Sequence, residues 1–129
     1  RILQEEASLK EIVQLVGMDA LSPNDRLTME TAKSIREDYL MQDSFQEEDS
    51  YTSLKKQLCM LKLILRFNTE AKSALAKNVD IEDILELAVK EQIARAKYIP
   101  ENELQKFDEI TTELKQEMLA LSNEGGANA

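Results

Sequence analysis

LCMLKLILRF, residues 58–67, is the stretch that decides the fold class. Only Lys62 and Arg66 interrupt its apolar run, and the run is far too short to cross a membrane. A helix that is apolar on most of its faces is typical of the middle of a bundle. We therefore predict a central helix that begins near Ser53 and has other helices packed around it.

Two helices are predicted before this stretch. The first has apolar residues at helical spacing and ends at Gly17, which supplies a natural stop. The second begins at Ser22, because Ser as the N-cap, Pro23 at the first helical position and an acid at the third favour a helix start. It continues to about Leu40. The apolar stripe of the first helix consists of Leu9, Ile12, Val13 and Val16.

Two further helices are predicted after it. Asp80 can N-cap a fourth helix, which ends at Ile99 because Pro100 follows. The fifth helix begins there, where Glu101 and Glu103 suit its positive N-terminal end. It carries a heptad seam with one polar member. The seam residues are Leu104, Phe107, Thr111, Leu114, Met118 and Leu121.

These elements predict an all-α fold. We expect a helical bundle of about five helices, with short loops plus one acidic loop near residues 42–53. The 129 residues are the length of one domain. Residues 1–121 are predicted to form this single domain. Residues 122–129, which are small and polar, are predicted to form a flexible tail.

Composition excludes several classes of function. The chain has no His, one Cys and three Gly. It therefore cannot form a His-based triad, a zinc finger or a glycine-rich phosphate loop. The net charge of −9 makes it a poor nucleic-acid binder and a reasonable partner for basic protein surfaces. We predict no catalytic residues, no metal site and no membrane insertion.

Charge is unevenly distributed along the chain. Residues 37–53 contain six acids and no base, whereas residues 54–77 contain six bases and one acid. The bases form either a solvated or locally paired face, as charge runs on helices usually do, or a docking surface. The acids at 47–49 lack the spacing and the glycine of a calcium loop, so a solvated loop is favoured.

Two single residues are candidates for a role of their own. Cys59 has no His to activate it and lies among Leu and Met, which favours a buried small hydrophobe over a nucleophile. Phe45 is an isolated aromatic within the acidic loop. It either anchors the loop to the domain or offers its ring to a planar ligand.

The turn between the first two predicted helices resembles a known family. GMDALSPND, residues 17–25, is similar to the GMDELSEED turn in the C-terminal domain of F-type rotary ATPase catalytic subunits, which contacts the rotating shaft. Three departures each remove a carboxylate, which argues against a strong electrostatic role for this turn. The matching residues include Asp19, Leu21, Ser22 and Asp25, and the departures are Ala20, Pro23 and Asn24.

The sequence that follows resembles one branch of that family. IREDYL at 35–40, QDSF at 42–45 and DSY at 49–51 look like the A subunit of archaeal and bacterial V/A-type ATP synthases. That family commonly has Asn where Asp43 stands and Cys where Thr52 stands. The resemblance covers residues 1 to about 100, and the rest is consistent with the family's terminal helix.

This resemblance implies a part in a rotary machine. The full subunit is expected to carry a nucleotide-binding domain before Arg1, with ATP or ADP and Mg bound there and no cofactor in the present segment. Such subunits would alternate with non-catalytic B subunits around a central stalk, in a cytoplasmic head peripheral to the membrane. This domain would be the lever that couples ATP hydrolysis or synthesis to rotation, with no chemistry of its own.

The resemblance also implies site residues. Phe45 would lie against the adenine of the bound nucleotide. The contact with the central stalk would be made by Gly17, Met18, Asp19, Ala20, Leu21 and Ser22. The alternative is a stand-alone helical adaptor that recognises a helix through its surface grooves. A phosphate-binding motif encoded upstream would favour the ATPase over the adaptor.

Overall fold

A computed structural model describes the backbone of residues 1–16, 21–40 and 53–128, and the side chains of residues 1–11, 21–37 and 53–123. Within these ranges the chain forms helices and no strand, which confirms the all-α prediction. The helices are α1 (Ile2–Val16), α2 (Pro23–Ser34), α3 (Leu54–Ala76), α4 (Ile81–Leu85), α5 (Ala88–Arg95) and α6 (Gln105–Asn128). A π-helical segment, Ile35–Leu40, extends α2.

Three helices begin where the sequence predicts a start, and for two of them, at Ser22 and Asp80, the sequence also predicts the capping residue. Ser22, Ser53 and Asp80 each have extended backbone geometry. The side chain of each accepts a hydrogen bond from a backbone N–H in the first turn of its helix. The donors are Asp25 at 3.1 Å, Lys56 at 3.0 Å and Glu82 at 3.1 Å. Each bond satisfies one N–H that has no partner within its own helix, so these starts are fixed locally.

The core is built around α3, as predicted. Its inner face packs against α2 on one side and α6 on the other. The buried residues of α3 include Met60, Leu63, Ile64, Phe67 and Ala71. The outer face differs from the prediction of a helix surrounded on most sides, because its leucines are exposed.

Helix α3 ends at a left-handed residue. Asn78 has φ of 68°, a conformation that Asn tolerates better than most residues. The reversal allows the N–H of Val79 to donate to the carbonyl of Ala74 at 3.1 Å, which closes the helix end. This end lies two residues before Asp80, where the sequence predicts that the next helix begins.

The predicted fourth helix is two helices. Leu87 is extended, with ψ of 139°, and separates α4 from α5. It has no side-chain cap to offer, but the backbone N–H of Val89 donates to Glu117 Oε1 on α6 at 3.0 Å. The carboxylate of a distant helix therefore supplies the cap that makes a second start possible here. The sequence prediction of one continuous helix is wrong at this point.

The last helix begins later than predicted. A short 3₁₀ turn, Glu101–Glu103, follows Pro100, and α6 begins at Gln105. The predicted seam is confirmed. Its buried members are Phe107, Leu114 and Met118, and its half-buried members are Leu104, Thr111 and Leu121. Its polar member is satisfied, since Thr111 Oγ donates to the Phe107 carbonyl at 2.9 Å. The backbone is helical to Asn128, and the mobility of residues 122–129 stays a prediction.

Candidate interaction surface

The structure describes only the exit of the turn predicted to contact the stalk. Leu21 is half-buried, and Ser22 is exposed and caps α2. The predicted contact residues 17–20 lie outside the described residues, as does Phe45. The roles of all of these residues stay predictions.

The exit of the turn is fixed to the core through α2. Leu27 lies one turn into this helix and is completely buried. Arg26 forms an ion pair with Glu82 of α4. Thr28 Oγ donates to the carbonyl of Asn24 at 3.1 Å, within the first turn. Residue 22 is therefore attached to a helix start that is held by both apolar packing and a cross-helix ion pair.

An ion pair between a buried carboxylate and a half-buried guanidinium joins α1 to the π-helical segment. Glu6 on α1 has a side chain that is only 7% exposed, and it pairs with the guanidinium of Arg36. Lys10 approaches the same carboxylate at 3.9 Å. A buried carboxylate needs such partners, because removal of a charge from water is costly. The pair therefore fixes the position of α1 relative to the segment that precedes residues 41–52.

The start of α3 is held by a carboxylate from a distant part of the chain. Glu101 accepts two hydrogen bonds from Ser53, one from its backbone N–H at 2.7 Å and one from its hydroxyl at 2.8 Å. In a capping box this acceptor comes from the third residue of the same helix. That position is Lys56 in α3, so Glu101 supplies the missing carboxylate.

This arrangement lowers the pKa of Glu101. The backbone N–H of Ser53 contributes most, its hydroxyl adds to the effect, and the nearby charge of Lys56 lowers the pKa slightly further. Each of these contacts favours the ionised carboxylate. The sequence predicts that Glu101 lies at the N-terminal end of the last helix. The structure corrects this, because Glu101 instead contacts the start of α3.

The bases of α3 are used in different ways. Lys56 is buried, and its ammonium donates to the carbonyl of Lys97 at 2.8 Å, so it links α3 to the turn after α5. Arg66 forms a loose pair with Glu70 at 3.8 Å. Lys62 is exposed and has no ion pair with a described residue. Part of the predicted basic face is therefore a core anchor, and part of it is open to solvent.

Two carboxyl groups on α6 interact with each other. The hydrogen bond between Glu113 and Glu117 raises the pKa of Glu113, and desolvation and the negative charge of Glu117 act in the same direction. Glu117 is the residue that caps α5 through Val89. The raised pKa of Glu113 therefore has its main cause in the neighbouring Glu117 on the same helix.

The described side chains offer little for catalysis. Cys59 is half-buried and packs against the core, so it is less enclosed than the sequence predicts. Among the described residues there is no group of three or more His, Cys, Asp or Glu that could hold a metal ion. None of the helices described is both long and apolar enough to span a membrane.

The anchors at Arg36, Glu101 and Glu117 were missed by sequence reasoning. Arg36 binds a carboxylate 30 positions away, Glu101 binds a serine 48 positions away, and Glu117 binds an amide 28 positions away. Helical spacing detects only partners three or four residues apart. One local signal was available for Glu101, since α3 has a serine cap but no acid at its third position.

Together these features define an all-helical domain whose long-range polar contacts fix helix ends. A family model described as the C-terminal domain of V and A type ATP synthase matches residues 1–85 of this domain. The chain belongs to this family. The resemblance drawn from the 17–25 turn and the segments after it is thereby confirmed.

Individual relatives match almost the whole chain. It is 59% identical to the V-type ATP synthase alpha chain of Clostridium perfringens over 97% of its length, and 60% identical to that of Acetivibrio thermocellus over 94%. It is 55% identical to the alpha chain of Thermoanaerobacter pseudethanolicus over 100% of its length. The matched region is 21–22% of each relative, so the chain spans about a fifth of their length.

Proposed function

We propose that this chain is the C-terminal domain of the catalytic A (alpha) subunit of a V/A-type ATP synthase or ATPase that translocates H⁺ or Na⁺. In this role it couples ATP hydrolysis or synthesis in an upstream nucleotide-binding domain to rotation of a central stalk. The observation that carries the proposal is the match of 94–100% of the chain to relatives named alpha chains. ATP or ADP and Mg would be bound upstream, since phosphoryl transfer needs a phosphate cradle and a metal ion.

The proposed stalk contact is the turn from Gly17 to Ser22. The capping of α2 by Ser22 and the burial of Leu27 support it, because a lever must transmit force through a firmly attached end. The proposed partners are the central stalk subunits and the neighbouring B subunits. The domain would lie in the cytoplasmic head of the complex, peripheral to the membrane.

The proposed nucleotide contact is Phe45, stacked against the adenine. Its support is the resemblance in the 35–51 region together with the anchoring of the helix that follows. Ser53, which begins α3, is held by Glu101. A fixed helix start restricts where the preceding segment can go, and a stacking contact requires such restriction.

Native size tests the identity of the subunit. An antibody to this domain should detect a membrane-associated band about five times larger than 14.7 kDa, because the matched region is about a fifth of its relatives. A free band near 15 kDa would instead support the helical adaptor and would overturn the proposal.

Substitutions at the turn test the stalk contact in the assembled enzyme. Ser22→Arg should impair torque coupling while ATP hydrolysis continues, measured as rotation and hydrolysis rate on the same preparation. Ser22→Asp is the matched control, because Asp can cap α2 equally well. The comparison separates the effect of a lost helix cap from the effect of a changed stalk contact. If rotation and hydrolysis stay tightly coupled in both variants, the stalk contact lies elsewhere.

Substitutions at Phe45 test the nucleotide contact. Phe45→Ala should weaken ATP binding by the assembled enzyme about three- to tenfold, the value of an aromatic stacking contact. Phe45→Tyr retains the ring and should bind ATP as the unchanged enzyme does. If the unchanged enzyme and both variants bind ATP with equal affinity, Phe45 is not part of the nucleotide site.

A further inference from the structure

The outer face of α3 carries a row of leucines with no described partner helix. Leu54, Leu58, Leu61 and Leu65 are spaced by four, three and four residues, so they lie along one face of the helix. Leu54 is 71% exposed, Leu58 46% and Leu65 38%, and Leu61 is half-buried. Isolated surface leucines are common, but a continuous row marks a contact surface.

A row of bases runs beside the leucines. Lys55, Lys62 and Arg66 each follow a member of the leucine row by one position, and all three are exposed. Neither lysine has an ion pair with any residue that the structure describes. Arg66 pairs with Glu70, on the same helix, at 3.8 Å. Among the described residues, the two lysines therefore leave positive charge on this face that no ion pair neutralises.

One end of the two rows lines a groove between α3 and α6. The groove has a volume of about 530 Å³, and Leu65, Lys62 and Arg66 all line it. Phe107, Asp108 and Thr111 form its far wall on α6. The groove therefore combines apolar side chains with two bases on its α3 side and one acid on its α6 side, and an apolar groove with charged edges can receive an amphipathic helix.

We propose that this face of α3 docks an acidic amphipathic helix of a partner subunit. Leucine-sized residues of that helix would pack on the leucine row, and its Asp and Glu side chains would face Lys55, Lys62 and Arg66. The leucine row extends over about 16 Å, which corresponds to about three turns of a helix. Charge complementarity selects the acidic partner, because the apolar row alone would accept a helix of either charge.

This docking face is separate from the proposed stalk contact. It lies on α3, whereas the stalk contact is assigned to the turn before α2. The inference rests on the proposed place of this chain in a multi-subunit ATPase, but the docking face and the stalk contact are tested by residues of different elements, so either contact can fail without the other.

Site-specific photo-crosslinking in the assembled complex tests the occupant. A benzophenone amino acid at Leu58 should crosslink to a helix of another subunit in which acids outnumber bases, as identified by mass spectrometry. The same probe at Leu119, which is 59% exposed on α6, is the matched control. The proposal is overturned if the Leu58 probe reacts only with its own chain, reacts with a basic segment, or gives no more product than the control.

Charge reversal tests the selection for acid. The double substitution Lys62→Glu and Arg66→Glu should lower the Leu58 crosslink to the partner at least fivefold. Lys115→Glu on α6 makes a similar change at another exposed position and should leave the yield within twofold. Equal yields from the double variant and the unchanged complex would show that charge does not select the partner. An equal loss of crosslink yield with Lys115→Glu would also show that charge on this face does not select the partner.

Discussion

Replacement of Glu101 by Gln should destabilise the domain, and the effect should disappear in acid. Glu101 accepts hydrogen bonds from the Ser53 N–H at 2.7 Å and the Ser53 hydroxyl at 2.8 Å. Each bond contributes about 0.5–1.5 kcal/mol to the free energy of unfolding. Both are exposed, where solvent screening reduces charge interactions to below about 1 kcal/mol. We therefore expect a loss of about 1 kcal/mol near neutral pH.

The pH dependence follows from the lowered pKa of Glu101. A carboxyl group with a depressed folded-state pKa stabilises the fold above its unfolded-state pKa, which has the ordinary value of 4.5. This contribution is lost as the pH falls below 4.5 and through the folded-state pKa. The difference in stability between the Glu101→Gln variant and the unchanged chain should therefore be full at pH 7 and vanish in strong acid.

Thermal unfolding followed by circular dichroism measures the effect. A loss of about 1 kcal/mol lowers the Tm of a domain of this size by about 3–5 °C. Glu103→Gln is the matched control, because Glu103 lies in the same 3₁₀ turn and pairs only with Lys106, three residues away. The reasoning is refuted if the two variants unfold at the same temperature at pH 7, or if the Glu101→Gln deficit persists in strong acid.

Three further predictions concern the other polar contacts. Arg36→Met leaves the buried carboxylate of Glu6 with only the more distant Lys10 as a described partner, and the free energy of unfolding in urea should fall by about 2 kcal/mol. An unchanged urea midpoint would contradict this. Glu117→Ala removes the cap of α5, so it should lower the free energy of unfolding by about 1 kcal/mol and speed amide hydrogen exchange at Val89. The control Gln116→Ala should change neither quantity. In an NMR titration the pKa of Glu113 should lie above 4.5 and fall toward it in the Glu117→Ala variant; a pKa that stays raised there would refute Glu117 as the cause.

The helix starts could be predicted because their causes are local. Ser22, Ser53 and Asp80 each cap a helix through a backbone N–H two or three residues away, and this spacing is readable in the sequence. The seam of α6 could be predicted for a similar reason, since a heptad pattern needs only one helix to define it. These features place most of the described helices within a few residues of their observed bounds.

The failures have a common physical cause. The break at Leu87 depends on Glu117, and the role of Glu101 depends on Ser53, in both cases across a tertiary contact. The chain has 25 acids, and no local rule identifies which of them will meet a distant N–H. The exposure of Leu58 was missed for a related reason, because hydrophobicity alone does not distinguish a buried face from a docking face.

The candidate site is less predictable from the sequence than the fold is. The turn residues and Phe45 were assigned through resemblance, and the family itself is confirmed by the match over residues 1–85. The individual contacts concern partners that no pattern within one chain can reveal. The stalk contact assigned to Leu21 and Ser22 therefore stays a prediction, like those of the other turn residues.

Two of the long-range contacts involve residues that flank positions 41–52 in the sequence, Arg36 before them and Ser53 after them. Glu6–Arg36 joins α1 to the segment before residues 41–52, and Ser53–Glu101 holds the helix that follows them. A buried ion pair adds little to stability compared with apolar packing, but it fixes one geometry, because displacement leaves a charge without a partner. The proposed role as a lever would need this property more than stability. On that proposal, loosening of the Glu6–Arg36 pair should reduce coupling in the assembled enzyme more than it reduces the folding of the domain.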